Sequence, residues 1–176
     1  MSGELTGKRA LIFVGDVYED LELLYPRYRL IEAGAEVTLA GLDAKGTTYR
    51  GKHGYPIQSD ACVRDVDTDQ FDALIVPGGF MPDRLRRDDD VKRITADMHG
   101  AGKPVAHMCH GGWIPISAGI VSGFTVTSTP GIKDDLVNAG ATWKDEEVVV
   151  DRNHITSRRP DDLPAFCRAV IAAMSS

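Results

Sequence analysis

The sequence predicts an α/β protein with a mostly parallel sheet covered by helices on both faces. Three observations predict it. Apolar runs of strand length alternate with helical patterns from one end to the other, the order that crossover helices between parallel strands produce. The runs are continuously apolar, as in Ala10-Leu11-Ile12-Phe13-Val14 and Ala73-Leu74-Ile75-Val76, which marks strands buried on both faces. The chain of 176 residues is 43% hydrophobic, with no repeat, linker or low-complexity segment. Residues 1–176 therefore read as a single domain with one core, running from about 8 to 174.

Each element has its own signal. After the first strand, a helical period runs from about Asp20 to Ala33 with Leu23, Leu24, Tyr28 and Ile31 on one side, and Gly34 stops it. Val37-Thr38-Leu39-Ala40 is the second strand. Residues 46–60, rich in Gly, Thr and Tyr, read as irregular or hairpin structure. The Ala73 strand ends at Pro77-Gly78-Gly79, and a helix from about Val91 to Ala101 leads through Gly102-Lys103-Pro104 into the strand Val105-Ala106-His107-Met108. A helix follows from roughly Gly112 to Ala118, then a short one from Ile132 to Ala139. Val148-Val149-Val150 is a strand and Leu163 to Met174 the last helix. Trp143 and the run Lys144-Asp145-Glu146-Glu147 read as an exposed turn before that strand.

A formal net charge of −6 argues against a nucleic-acid surface or attraction to anionic membrane, since both need positive charge. No stretch approaches the ~20 apolar residues that span a bilayer, and Met1 to Arg9 lacks the apolar core of a signal peptide. The expectation is a cytoplasmic protein. Three cysteines, Cys62, Cys109 and Cys167, have no paired spacing, so neither a disulfide framework nor a zinc site is indicated. Cys167 lies on the apolar stripe of the last helix and Cys62 in a short Ala61-Cys62-Val63 segment, both reading as packing thiols. No histidine cluster has metal spacing, and no cofactor is expected. His107, on a buried strand, reads as a satisfied core histidine or an interface group, and His53 as a residue of the interface or the pocket.

In such sheets ligands gather outside the carboxyl ends of the strands. Three strand ends carry unusual residues, Asp16 to Asp20, Pro77-Gly78-Gly79 and Cys109-His110-Gly111, and these loops should converge. A cysteine between a buried strand and a glycine-bearing helix start stands in a nucleophile elbow. The helix N-terminus should lower its pKa, and Gly111 and Gly112 should let backbone approach a substrate. The N–H of His110, one residue past the nucleophile, and that of Gly79 are the natural oxyanion donors. Read alone, Glu19 is a first-turn helix acid, and Asp83 a helix-start acid beside Arg84, Arg86 and Arg87.

Six ordered motifs resemble the PfpI branch of the ThiJ/PfpI superfamily: Tyr18-Glu19-Asp20-Leu21-Glu22-Leu23-Leu24-Tyr25-Pro26, Gly51-Lys52-His53-Gly54, Phe71-Asp72-Ala73-Leu74-Ile75-Val76-Pro77-Gly78-Gly79, Cys109-His110-Gly111, Pro130-Gly131-Ile132-Lys133-Asp134-Asp135 and Thr156-Ser157-Arg158. The resemblance implies a flavodoxin-like three-layer sandwich of the class I glutamine amidotransferase type. It implies Cys109 as nucleophile, Glu19 as the acid that hydrogen-bonds its sulfur, and His110 as its partner in a triad. Asp83, supplied by a neighbouring subunit, would complete that triad, one methylene shorter than the glutamate the family leads one to expect. Gly78, Gly79, His110, Gly111, Trp113 and Thr129 are implied around the oxyanion and substrate. Gly112-Trp113 replaces a proline after the Cys-His-Gly, and Thr129 stands where some relatives carry a tyrosine.

The activity implied is an intracellular cysteine hydrolase acting on a carbonyl, either peptide hydrolysis or the removal of dicarbonyls and glycation adducts (a glyoxalase III or deglycase). Small carbonyl compounds, peptides or glycated proteins are the implied substrates, and a homodimer, or a hexamer built from dimers, the implied assembly. The alternative is a stress protein, oxidant-sensing or chaperone-like, whose Cys109 is oxidised to sulfinate without significant turnover. An amidotransferase expects a His-x-Glu pair late in the chain. The sequence there is His154-Ile155-Thr156, without the acid.

Overall fold

The computed structural model describes residues 3–176. Its strands are β1 (Arg9–Phe13), β2 (Glu36–Gly41), β3 (Thr48–Arg50), β4 (Pro56–Gln58), β5 (Ala61–Cys62), β6 (Ala73–Val76), β7 (Val105–Met108), β8 (Thr125–Val126), β9 (Thr142–Trp143), β10 (Val148–Asp151) and β11 (His154–Ser157). The α-helices are α1 (Asp20–Glu32), α2 (Met81–Leu85), α3 (Asp89–Gly100), α4 (Trp113–Ser117), α5 (Lys133–Asn138) and α6 (Leu163–Ser175). Seven strands form the central sheet in the order β10-β11-β7-β6-β1-β2-β5. All neighbours run parallel except the edge pair β10 and β11.

The connections explain the layers. From β1 the chain passes through α1 to β2 on one side, and from β6 through α3 to β7 on the other. Right-handed crossovers in opposite directions place those helices on opposite faces. Helix α6 packs with α1, and α4 with α3, which completes the expected three-layer α/β sandwich. The strand order reverses between β1 and β6, so their carboxyl ends, with β7 next to β6, frame the crevice where such folds hold ligands.

Several elements differ from expectation. β11 is fully buried and lies between β7 and β10; its His-Ile-Thr-Ser carries one aliphatic residue and so lacks an apolar run. Trp143 is not in an exposed turn. It pairs in β9 against β8 and packs on a second small core of Val121, Phe124, Val126, Ile132, Leu136 and Ala141. On α1 the inward stripe is rotated from the one the hydrophobic spacing suggests. Glu22, Leu23, Pro26 and Leu30 are buried, while Tyr28 and Ile31 are 53% and 44% exposed. Among the described residues no helix is long and apolar enough to cross a membrane.

Candidate active site

The three loops converge. Tyr18 bridges both Gly51 and Gly79, Glu19 N–H donates to the Gly78 carbonyl at 3.1 Å, and Phe80 N–H to that of Val17 at 2.9 Å. Val17 holds a φ of 62°, unusual for a β-branched residue. That turn lets its carbonyl face the start of α2. Between the loops lies a cleft of about 160 Å³ lined by Glu19, Glu22, Lys52, Gly79, Phe80, Cys109, His110 and Pro160.

Cys109 sits at the end of β7 with a φ of 55°, the strained strand-to-helix turn of a nucleophile elbow. Gly111 makes the turn possible because its Cα faces the Val76 carbonyl, where a side chain has no room. Gly112 is packed between Ile132 and His107. Both glycines thus serve close packing inside the elbow, not approach to substrate. The backbone N–H groups of His110 and Gly79 lie near the sulfur and favour its charged form, against the burial.

The acid at the sulfur is Glu22, not Glu19. Glu22 is fully buried, its Oε2 accepts Gly78 N–H at 2.8 Å, and its carboxyl lies beside Cys109, with Oε1 left without a hydrogen-bond partner among the described residues. One helical turn separates the roles. Glu19 is the N-cap of α1 and turns to the mouth, where its Oε2 lies 2.7 Å from Lys52 Nζ and 3.9 Å from His53 Nε2. Glu22 is on the inward face with Pro26 and Leu30. An acid on that face was the available signal, and it is visible only once the stripe is set correctly. Gly78 accordingly serves the carboxylate rather than an oxyanion.

Burial governs the proton affinities. Desolvation raises the Glu22 carboxyl to about 7, against the Gly78 N–H that opposes it. Burial and then the Glu22 charge push the Cys109 thiol up to about 12. The helix start therefore does not lower this thiol as expected. The turn after Cys109 and α4 span only four and five residues, too short for a dipole to outweigh burial. The pair titrates as one unit that retains a proton at neutral pH. His110 Nδ1 lies 3.4 Å from the sulfur, and burial with the nearby Lys52 charge lowers its pKa, so the ring is neutral and able to accept a proton.

The remaining expected residues lie around this centre. Trp113 contacts His110 with ring centroids 5.0 Å apart and is outside the cleft lining, as is Thr129, which precedes the Pro130 turn. Asp83 lies on α2, paired with Arg87, and does not line the cleft of its own chain. Cys62 and Cys167 are buried. His107 is a core residue but not a satisfied one, since neither ring nitrogen has a partner among the described residues. Among the described residues no group of three or more His, Cys, Asp or Glu is placed to hold a metal. Lys52, Phe80 and Pro160 were not singled out by spacing. They reach the cleft from separate segments that only the fold brings together.

The model of the DJ-1/PfpI family matches residues 8–173. The chain belongs to the DJ-1/PfpI family. A deglycase of Pyrococcus abyssi is 48% identical over 163 residues, covering 93% of this chain and 97% of that protein. Protein/nucleic acid deglycase 2 of Escherichia coli is 39% identical over 171 residues, 96% of this chain and 99% of its own. Among solved structures, Drosophila melanogaster DJ-1beta superposes with a TM-score of 0.88 at 28% identity, covering 96% of this chain and 91% of that one. The family resemblance read from the motifs holds along nearly the whole chain.

Proposed function

We propose that the protein is a PfpI-type cysteine hydrolase that removes reactive dicarbonyls or their early adducts, with Cys109 as nucleophile. The observation that carries it is a sulfur with the His110 and Gly79 N–H groups, the buried Glu22 carboxyl and a neutral His110 ring around it inside a small cleft. A volume of about 160 Å³ suits a carbonyl compound of a few carbons; drug-sized ligands need roughly 300 Å³ or more. The names of the relatives support the same reading.

In the first step the Cys109 sulfur adds to an aldehyde carbon and an S–C bond forms. The thiol proton passes to His110 Nδ1, and the carbonyl π pair moves to oxygen. The His110 and Gly79 N–H groups are the donors available to that oxygen. The proton taken up by His110 then passes to that oxygen, which neutralises it as the hemithioacetal forms. In this reading Asp83 acts only from a neighbouring copy, where it would meet His110 Nε2; Asp83→Ala should leave assembly unchanged and slow turnover. Lactate formation from methylglyoxal, without glutathione, tests the proposal. Turnover by the wild type and none by Cys109→Ser supports it. Equal rates in both overturn it, and no turnover in either shifts the case to peptides or to an oxidant-sensing thiol.

A further inference from the structure

A catalytic imidazole has to be held in one orientation, and in triads an acid on the far ring nitrogen does this. Among the described residues no acid hydrogen-bonds the His110 ring. Its side-chain hydrogen bond joins Nδ1 to the sulfur. Its Nε2 faces Gly131, where even an added Cβ would stand 3.6 Å away. The ring is instead braced on its side by Trp113, with centroids 5.0 Å apart and planes at 54°.

Trp113 is itself tied down from three directions. Its Nε1 donates to Asp135 Oδ2 at 2.7 Å, joining α4 to α5. The Arg86 guanidinium lies 5.6 Å from its ring centroid, and Arg86 Nε donates to Ser117 Oγ at 2.8 Å. Its apolar body packs on the second core beside Ile132 and Leu136. Cation–π and aromatic contacts of this kind resist rotation of the rings they join.

We propose that Trp113 is the positioning residue for His110, bracing the imidazole by ring contact so that Nδ1 faces Cys109. This rests on the reading of Cys109 as nucleophile. A ring contact fixes orientation but leaves Nε2 free, so it separates two tasks that a single acid performs together. Trp113 sets where the ring points, and whatever meets Nε2 sets its tautomer. Trp113 is therefore not a substrate contact, in keeping with its place outside the cleft lining.

Alkylation of Cys109 by iodoacetamide tests this without a substrate, because Cys62 and Cys167 are buried and Cys109→Ser supplies the blank. Trp113→Leu should slow alkylation at neutral pH by about tenfold, and Trp113→Phe should restore most of the rate. His110→Ala should slow it at least as much, and the double variant His110→Ala/Trp113→Leu no further. The pH step in the wild-type rate that follows His110 should vanish in His110→Ala and shrink in Trp113→Leu. Should Trp113→Leu not fold, Asp135→Ala cuts the tether alone and should give a smaller slowing of the same pH shape. A wild-type rate in Trp113→Leu, or a slowing that persists in the His110→Ala background, overturns the proposal. Labelling of Cys109→Ser as fast as wild type overturns the nucleophile reading instead.

Discussion

His107 and His110 flank the carboxyl end of β7, and their surroundings are opposites. His107 is fully buried inside the strand layer, both nitrogens without a partner among the described residues, with His154 5.8 Å away between ring centroids. Burial drives its pKa well down, and the neighbouring His154 adds to this. His110 is half-buried, has a nitrogen on a sulfur, and faces a cleft. A titratable side chain in the core costs stability and touches nothing reactive. One past the strand's end, where loops meet, stands within reach of a sulfur and a cleft. Position relative to the sheet edge separates the two, more than residue type.

The comparison breaks most visibly at Cys109. Cys109→Ser should cut turnover of methylglyoxal by about a thousandfold or more while circular dichroism and melting stay native-like. Gly78→Ala comes next, since its Cβ would stand 2.5 Å from Glu22 Oε2 and 2.8 Å from Cys109 Cβ. Displacement of either group should cost about a hundredfold in kcat, measured beside Gly100→Ala as a control, where an added Cβ meets nothing within 4 Å.

Glu22→Gln should slow turnover by about tenfold or more, and Glu19→Gln, which loses the contacts with Lys52 and His53 at the mouth, by clearly less. The two acids also part in stability. A folded pKa near 7 against a usual 4.5 means that the Glu22 contribution is fully present below about pH 4.5 and is lost as pH rises through 7. Urea unfolding should thus show Glu22→Gln gaining on the wild type between pH 5 and 8, by something on the order of 3 kcal/mol. An equal gain in Glu19→Gln would erase the distinction.

The smallest effect lies in the histidine core. His154 is lowered to about 4 by burial, then by His99 and Arg152, with Asp151 opposing. Depressed histidines contribute stability above the unfolded value near 6.5 and lose it as pH falls through the folded value. His107→Leu should leave pH 7 stability within about 1 kcal/mol of wild type, with activity unchanged. It should also lose less stability on going to pH 4.5. An acid loss identical to wild type would place the sensitivity outside this cluster.

What the sequence made legible follows from its patterns. Continuous apolar runs gave away β1 and β6, and with Val105-Ala106-His107-Met108 as β7 they gave the convergence of the three loops and the place of Cys109 at a strand end. β11 escaped because its neighbours, not its own residues, make it a buried strand. Glu22 escaped because four consecutive residues, Glu19 to Glu22, carry three acids, and only the phase of α1 decides which points inward. That phase was hidden by Tyr28 and Ile31, apolar groups that the fold leaves outside. The thiol's proton affinity was illegible for another reason, being set by burial and by Glu22 rather than by the helix that follows it.

The left-handed backbone at Cys109 has a consequence for how the chain would drift. Only glycine, and to a lesser degree asparagine or aspartate, occupies that region at little cost. Freed from any need for a thiol, the position would gain stability by becoming glycine, so an inactive descendant would be sturdier than its parent. Selection for robustness and selection for reactivity therefore pull in opposite directions at this one residue.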